Sequence, residues 1–90
     1  MYKIVITNRF KKDLELIQRR GYDLRLLQTV IDTLANGESL DAKYKAHELK
    51  GNYAGYMECH IKADWLLIYK IEKNILVLTL TRTGTHGDLF

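Results

Sequence analysis

The hydrophobic period of this 90-residue chain changes at Gly37, and the change restricts it to one kind of architecture. Ahead of Gly37, apolar residues recur three and four apart: Phe10, Leu14 and Ile17 make one stripe, and Leu27, Val30, Ile31 and Leu34 a second. That spacing gathers side chains on one face of an α-helix, which must then be buried. Asn8 is predicted to cap the first helix and Asp23 the second, because a short side-chain oxygen there accepts from free N–H groups of the first turn. Gly21 and Gly37 supply left-handed stops. With only Gly21-Tyr22 joining them, the helices read as an antiparallel hairpin. Tyr2 to Thr7, before the hairpin, is β-branched and alternating, and so reads as a strand.

Beyond Gly37 the period falls to two. Ala46 to Leu49 is a short polar strand, and Lys50-Gly51-Asn52 a turn. From Tyr56 to Ile61, Met57, Cys59 and Ile61 oppose Tyr56, Glu58 and His60. Trp65 to Ile71 is apolar on both faces except at Lys70, as a central strand is. Glu72-Lys73-Asn74 is a plausible turn into a last strand from Ile75 to Leu80. The order β-α-α-β-β-β predicts an α+β domain, a two-helix hairpin packed on an antiparallel sheet. The register around Lys62-Ala63 is left open, so the pattern does not fix which residues share a face with His60.

One core is all that this length supports, so residues 1–90 are expected to form a single domain. With no proline and six glycines, no stretch reads as a linker. The single cysteine, Cys59, cannot close an internal disulfide and fits a reducing compartment; flanked in alternation by Met57 and Ile61, it is expected to be a buried, inert thiol. No run reaches the ~18 apolar residues of a membrane span, and no signal peptide is evident, so a soluble cytoplasmic protein is expected. The net charge of +3 permits an anionic partner without requiring one.

No glycine-rich phosphate loop, paired-cysteine motif, nucleophile elbow or zinc-protease helix is present. The chemistry instead concentrates in the second half, which holds all three histidines, His47, His60 and His86, with Asp64, Trp65 and Arg82. RNA cleavage by attack of a ribose 2′-hydroxyl on its own phosphate needs a base, an acid for the departing 5′-oxygen, and a cation for the transition state. Imidazoles suit the first two tasks and a guanidinium the third. The nucleophile belongs to the substrate, so neither a metal nor another cofactor is required. Each residue also has a plainer reading: a hydrogen-bonded strand histidine, a packed Trp65, a solvated Arg82, and ordinary strand tyrosines at Tyr53 and Tyr56. No spacing matches a zinc motif.

Three segments carry a resemblance. Lys43-Tyr44-Lys45-Ala46-His47-Glu48-Leu49-Lys50-Gly51-Asn52-Tyr53, then Tyr56 to Tyr69 containing His60, Asp64 and Trp65, then Arg82-Thr83-Gly84-Thr85-His86-Gly87-Asp88-Leu89-Phe90, resemble the YafQ-type branch of the RelE/ParE toxin superfamily. The resemblance implies a RelE-like fold and an endoribonuclease that cuts messenger RNA on the ribosome. It implies active-site roles for His47, His60, Asp64, Arg82, His86 and Phe90. His86 would be the general acid, and His47, His60 and Asp64 the group that takes the 2′-proton. Arg82 would stabilise the transition state, with Phe90 and Trp65 holding a base. Lys45, Lys50 and Tyr53 would contact RNA, with Lys43 beside them, and a cognate antitoxin would bind the toxin. Ala63 departs from the proline common before the aspartate, which loosens a turn without touching the chemistry. Two other readings compete: a non-enzymatic, ParE-like inhibitor of gyrase, and a plain RNA-binding module using Tyr53, Tyr56 and Trp65.

Overall fold

The computed structural model describes residues 1–90. Strand β1 (Lys3–Ile6) leads into helices α1 (Asn8–Arg19) and α2 (Leu24–Ala35). Strands β2 (His47–Glu48), β3 (Met57–Lys62), β4 (Trp65–Glu72) and β5 (Val77–Gly84) follow, and a one-turn helix α3 (His86–Leu89) closes the chain. The five strands form one sheet in the order β1-β5-β4-β3-β2, so the α+β architecture is as expected. No helix is long and apolar enough to cross a membrane.

The helix stops lie where glycine was expected. Gly21 and Gly37 both adopt φ +77°. Around Gly21, the Gly21 N–H donates to the Gln18 carbonyl (3.0 Å) and the Tyr22 N–H to Ile17 (3.1 Å), a paired closure that satisfies two otherwise free carbonyls. Asp23 caps α2 through the Arg25 N–H, but α1 starts differently. Thr7, not Asn8, is its cap: the Thr7 hydroxyl accepts from the Phe10 N–H (3.0 Å) and donates to the Thr81 carbonyl (2.8 Å). Asn8 becomes the first helical residue because its neighbour joins the helix start to β5 as well.

Three further details differ from the sequence expectation. The sheet is mixed, since β1 runs parallel to β5. A parallel pair needs a long crossover connection, and the helical hairpin starts one. The last strand begins at Val77 and runs to Gly84, beyond the expected Ile75–Leu80. Ile75 and Leu76 lie 58% and 53% exposed in the turn before it, so their apolar character marks no strand. Finally, α3 was not expected.

The sheet buries apolar residues on both faces. On one, Phe10, Ile17, Leu27, Val30 and Leu34 pack on Cys59, Trp65, Leu67, Tyr69, Leu78 and Leu80. On the other, Leu66 and Ile68 lie beneath Leu89, with Leu49, Tyr53 and Tyr56 around them. β4 is thus central, as a run apolar on both faces except at Lys70 predicts. A bulge interrupts β5: Tyr69 pairs with Leu80, yet Ile68 pairs with Arg82, leaving Thr81 as the extra residue. Leu80 therefore joins the helix-side core, while Arg82, two residues later, stands in register with the opposite face. Bulges re-aim side chains in this way.

Cys59 is fully buried, and burial first, then the Glu58 charge, pushes its thiol up to about 12. An acid raised on folding gives stability that is complete below its unfolded value (~8.5) and lost as pH climbs toward the folded one. At pH 8 the folded protein should therefore react with a disulfide reagent ~10³-fold more slowly than the urea-unfolded chain, because only opened molecules react. Equal rates in the two states would show that the thiol is accessible.

Candidate active site on the open face of the sheet

Strand register sets the site. His47 pairs with Glu58, Glu58 with Ile68, and Ile68 with Arg82, so these four form one row across β2, β3, β4 and β5. The next row holds His60, Leu66 and Gly84. Residues two apart in a strand share a face, which puts Glu58 with His60 over the floor made by Leu66 and Ile68. This is the neighbour relation that the hairpin pattern left open.

The histidines are held differently. His47 Nδ1 lies 2.8 Å from the Lys45 carbonyl, and its Nε2 lies 3.4 Å from Glu58 Oε1. Both contacts are donations only when the ring carries two protons. The His47 and His60 ring centroids are 6.4 Å apart, and His60 Nδ1 faces the Ala63 carbonyl at 3.4 Å. His86 opens α3, and Asp64 Oδ1 accepts its backbone N–H at 3.1 Å. Asp64 thereby ties the β3–β4 turn to the helix that carries His86. The His86 ring lies against Phe90 (centroids 5.0 Å), Phe90 against Tyr53 (5.8 Å), and Tyr53 against Tyr56 (6.0 Å). Phe90 remains 55% exposed, leaving ring surface free to meet a base.

Arg82 is anchored from an unexpected direction. Its Nε and Nη2 donate to the Asp13 carboxylate on α1 at 2.8 and 3.1 Å, and the Thr83 N–H donates to the same carboxylate at 3.1 Å. The hydrogen bond to Asp13, with the Tyr53 phenol adding less, holds the guanidinium above its ordinary value. Asp13 leaves Nη1 for another acceptor. A fork held by Asp13 through Nε and Nη2, with Tyr53 beside it, keeps an N–H edge of the kind that suits a phosphate oxygen.

Sequence reading did not identify Asp13 or Glu58. The signal for Asp13 was present: Phe10, Asp13 and Ile17 fall three and four apart, so a carboxylate occupies the buried face of α1. Glu58 sits on the His60 face by alternation and is only 6% exposed. Trp65 corrects the expectation that it contacts substrate. It is 3% exposed in the helix-side core, its indole N–H donates to the Thr83 hydroxyl at 2.9 Å, and its ring meets Tyr22 edge-on. Lys45 and Lys50 flank His47 on exposed connections. Lys43, Lys45 and Lys62 line a depression of about 450 Å³ that opens beside His60 and has no acidic residue in its wall. No three His, Cys, Asp or Glu side chains group closely enough to hold a metal.

A family model described as the bacterial toxin of type II toxin-antitoxin systems, YafQ, matches residues 2–90. The mRNA interferase toxin YafQ of Escherichia coli K12 is 39% identical over 88 residues, covering 97% of this chain and 94% of that one. Among solved structures, a metal-bound toxin from Helicobacter pylori is 43% identical with a TM-score of 0.93, each chain covered in full. The YafQ chain of the E. coli DinJ-YafQ complex is 37% identical with a TM-score of 0.92, covering 100% of this chain and 99% of that one.

Proposed function

The chain belongs to the YafQ family of toxins of type II toxin–antitoxin systems, and from that membership we propose that it is an endoribonuclease cutting messenger RNA on the ribosome. The observation that carries the reading is a shared location: the His47 and His60 rings stand 6.4 Å apart on the open sheet face, Arg82 lies in the same strand row as His47, and His86 stacks on Phe90, which meets Tyr53 above that face. A ParE-like inhibitor or a plain RNA-binding module has no use for that set.

In the proposed reaction the ribose 2′-oxygen attacks the adjoining phosphorus. Its proton passes to the group formed by His47, His60 and Asp64, with the Glu58 carboxylate facing His47. The base is assigned to this set rather than to one member, because the His47 and His60 rings stand together on the same face. Arg82, held by Asp13, meets the charge that builds on the phosphate oxygens. His86 protonates the departing 5′-oxygen, and Phe90, braced by Tyr53, stacks on a base to align the attack. Trp65 serves by packing beneath Thr83. The products are a 2′,3′-cyclic phosphate and a 5′-hydroxyl. Although the H. pylori relative is described as metal-bound, His47, Glu58 and His60 come no closer here than a contact pair and a distant third ring, so no step is assigned to a metal.

Lys43, Lys45 and Lys50 would approach ribosomal RNA phosphates. A cognate antitoxin is the second partner, by analogy with the DinJ-YafQ complex. Ribosomes programmed with a defined message, incubated with the purified protein, test the proposal. New internal ends should appear, bearing 5′-hydroxyls that a kinase labels without prior phosphatase. Arrested translation with an intact message would instead mean a binding toxin, and 5′-phosphate ends would mean hydrolysis by another chemistry.

A further inference from the structure

Helix α3 carries both His86 and, just past its end, Phe90, yet it is four residues long. A single helical turn does not sustain itself, so something else must fix where these rings stand. Asp88 is where the fixing converges. Its carboxylate accepts the Thr85 N–H at 2.9 Å while the Thr85 hydroxyl accepts the Asp88 N–H at 3.2 Å, a closed capping box. Arg20, immediately after α1, grips the same carboxylate with both arms of its fork, Nη1 to Oδ2 at 2.6 Å and Nη2 to Oδ1 at 3.1 Å, across 68 residues of sequence. Gly84 leaves the room: a Cβ there would lie 2.9 Å from Asp88 Oδ2 and 3.1 Å from Asp88 Cβ. Leu89 supplies the apolar seat on Leu66 and Ile68.

We propose that Arg20 and Asp88 are positioning residues, a latch that sets the His86 imidazole and the Phe90 ring against the substrate. The inference rests on the nuclease reading of His86. Neither residue touches RNA in it; both act through α3. The latch joins the C-terminal end of α1 to the acid side of the site, just as Asp13 joins the middle of the same helix to Arg82. One helix thus carries both anchors of the groups that handle the leaving oxygen and the phosphate. The latch is also closed over the range in which histidines titrate, because Arg20 and the Thr85 N–H hold the Asp88 carboxyl well below the usual carboxylate range.

A half-exposed ion pair contributes little to global stability, so positioning and folding separate in experiment. Arg20→Met keeps the apolar stem and removes the fork. It should lower the single-turnover rate on programmed ribosomes by about tenfold or more, since small misplacements near reacting groups cost that much. KM and the thermal midpoint should stay close to the parent's, and amide exchange at Leu89 and Phe90 should quicken. Arg20→Lys, with one charge and no fork, should recover part of the rate. Gly84→Ala crowds Asp88 without touching Arg20, and with the added strain of a side chain at φ +155° it should lose at least as much rate. Parent-like rate and parent-like exchange in Arg20→Met would overturn the latch, as would an effect confined to KM or one explained by a collapsed midpoint. Should the parent itself not cleave RNA, the nuclease reading fails. Amide exchange in Arg20→Met and Gly84→Ala still decides whether the latch exists, and unchanged protection overturns it.

Discussion

Replacing His86 with alanine is expected to reduce messenger RNA cleavage by about 10³-fold while leaving the fold intact, because general acid catalysis contributes on that order. The 5′-oxygen is a poor leaving group unless protonated as its bond to phosphorus breaks, and no neighbour duplicates the part. His60 and His47 are tied to the β3 side through the Ala63 and Lys45 carbonyls. Asp64 holds the backbone, not the ring, of His86. The ring lies at the exposed first position of α3, so its loss opens no cavity and the thermal midpoint should change little. His47→Ala and His60→Ala should each cost less, since the base role is shared between two neighbouring rings. The pH profile gives a second readout. The parent should be bell-shaped, as an acid and a base are both required, and His86→Ala should lose the descending alkaline limb, which reports loss of the acid's proton. Single-turnover cleavage on programmed ribosomes between pH 5 and pH 9 measures both. A flat parent profile, or a variant with parent-like rate, would remove His86 from the chemistry.

How much of this was legible in the sequence depends on which force fixes each part. The stripe Leu27, Val30, Ile31 and Leu34 and the run from Trp65 were readable because burial writes itself as period and composition. Ile75 and Leu76 show the limit of that signal, since apolar residues in a turn look like the start of a strand. The β5 bulge was not readable: nothing in Thr81-Arg82 announces an extra residue, though it decides which face Arg82 meets. The α3 turn was half readable, because Thr85 and Asp88 stand at capping-box spacing, but four residues carry no periodicity. Candidate site residues could be named in advance from motif resemblance. The contacts of their supports could not: Asp13 and Arg20 act across 69 and 68 residues of sequence, and Glu58 through the pairing of β2 with β3.

Asp13 is the support whose removal should cost most. Asp13→Ala leaves the Arg82 guanidinium, whose side chain is 11% exposed, without its carboxylate, and leaves the Thr83 N–H without an acceptor. Breaking one side of a well-buried pair costs about 3–5 kcal/mol; partial solvent access at Arg82 lowers the expectation to about 2–4 kcal/mol. For a domain of this size that is a drop in thermal midpoint of about 10–20 °C. Arg82→Met should be milder, because the Asp13 carboxylate keeps the Thr83 N–H as a partner. The double variant should be no less stable than Asp13→Ala alone, since the stranded cation is gone. A double-mutant cycle would then show a coupling of at least about 1 kcal/mol, measured by urea unfolding. Below its lowered midpoint, folded Asp13→Ala should still cleave messenger RNA poorly, because an unanchored Arg82 no longer presents its free edge to the phosphate. Additive effects with a small midpoint change would reduce the pair to a surface contact. Full activity in folded Asp13→Ala would mean that Arg82 needs no anchor to do its work.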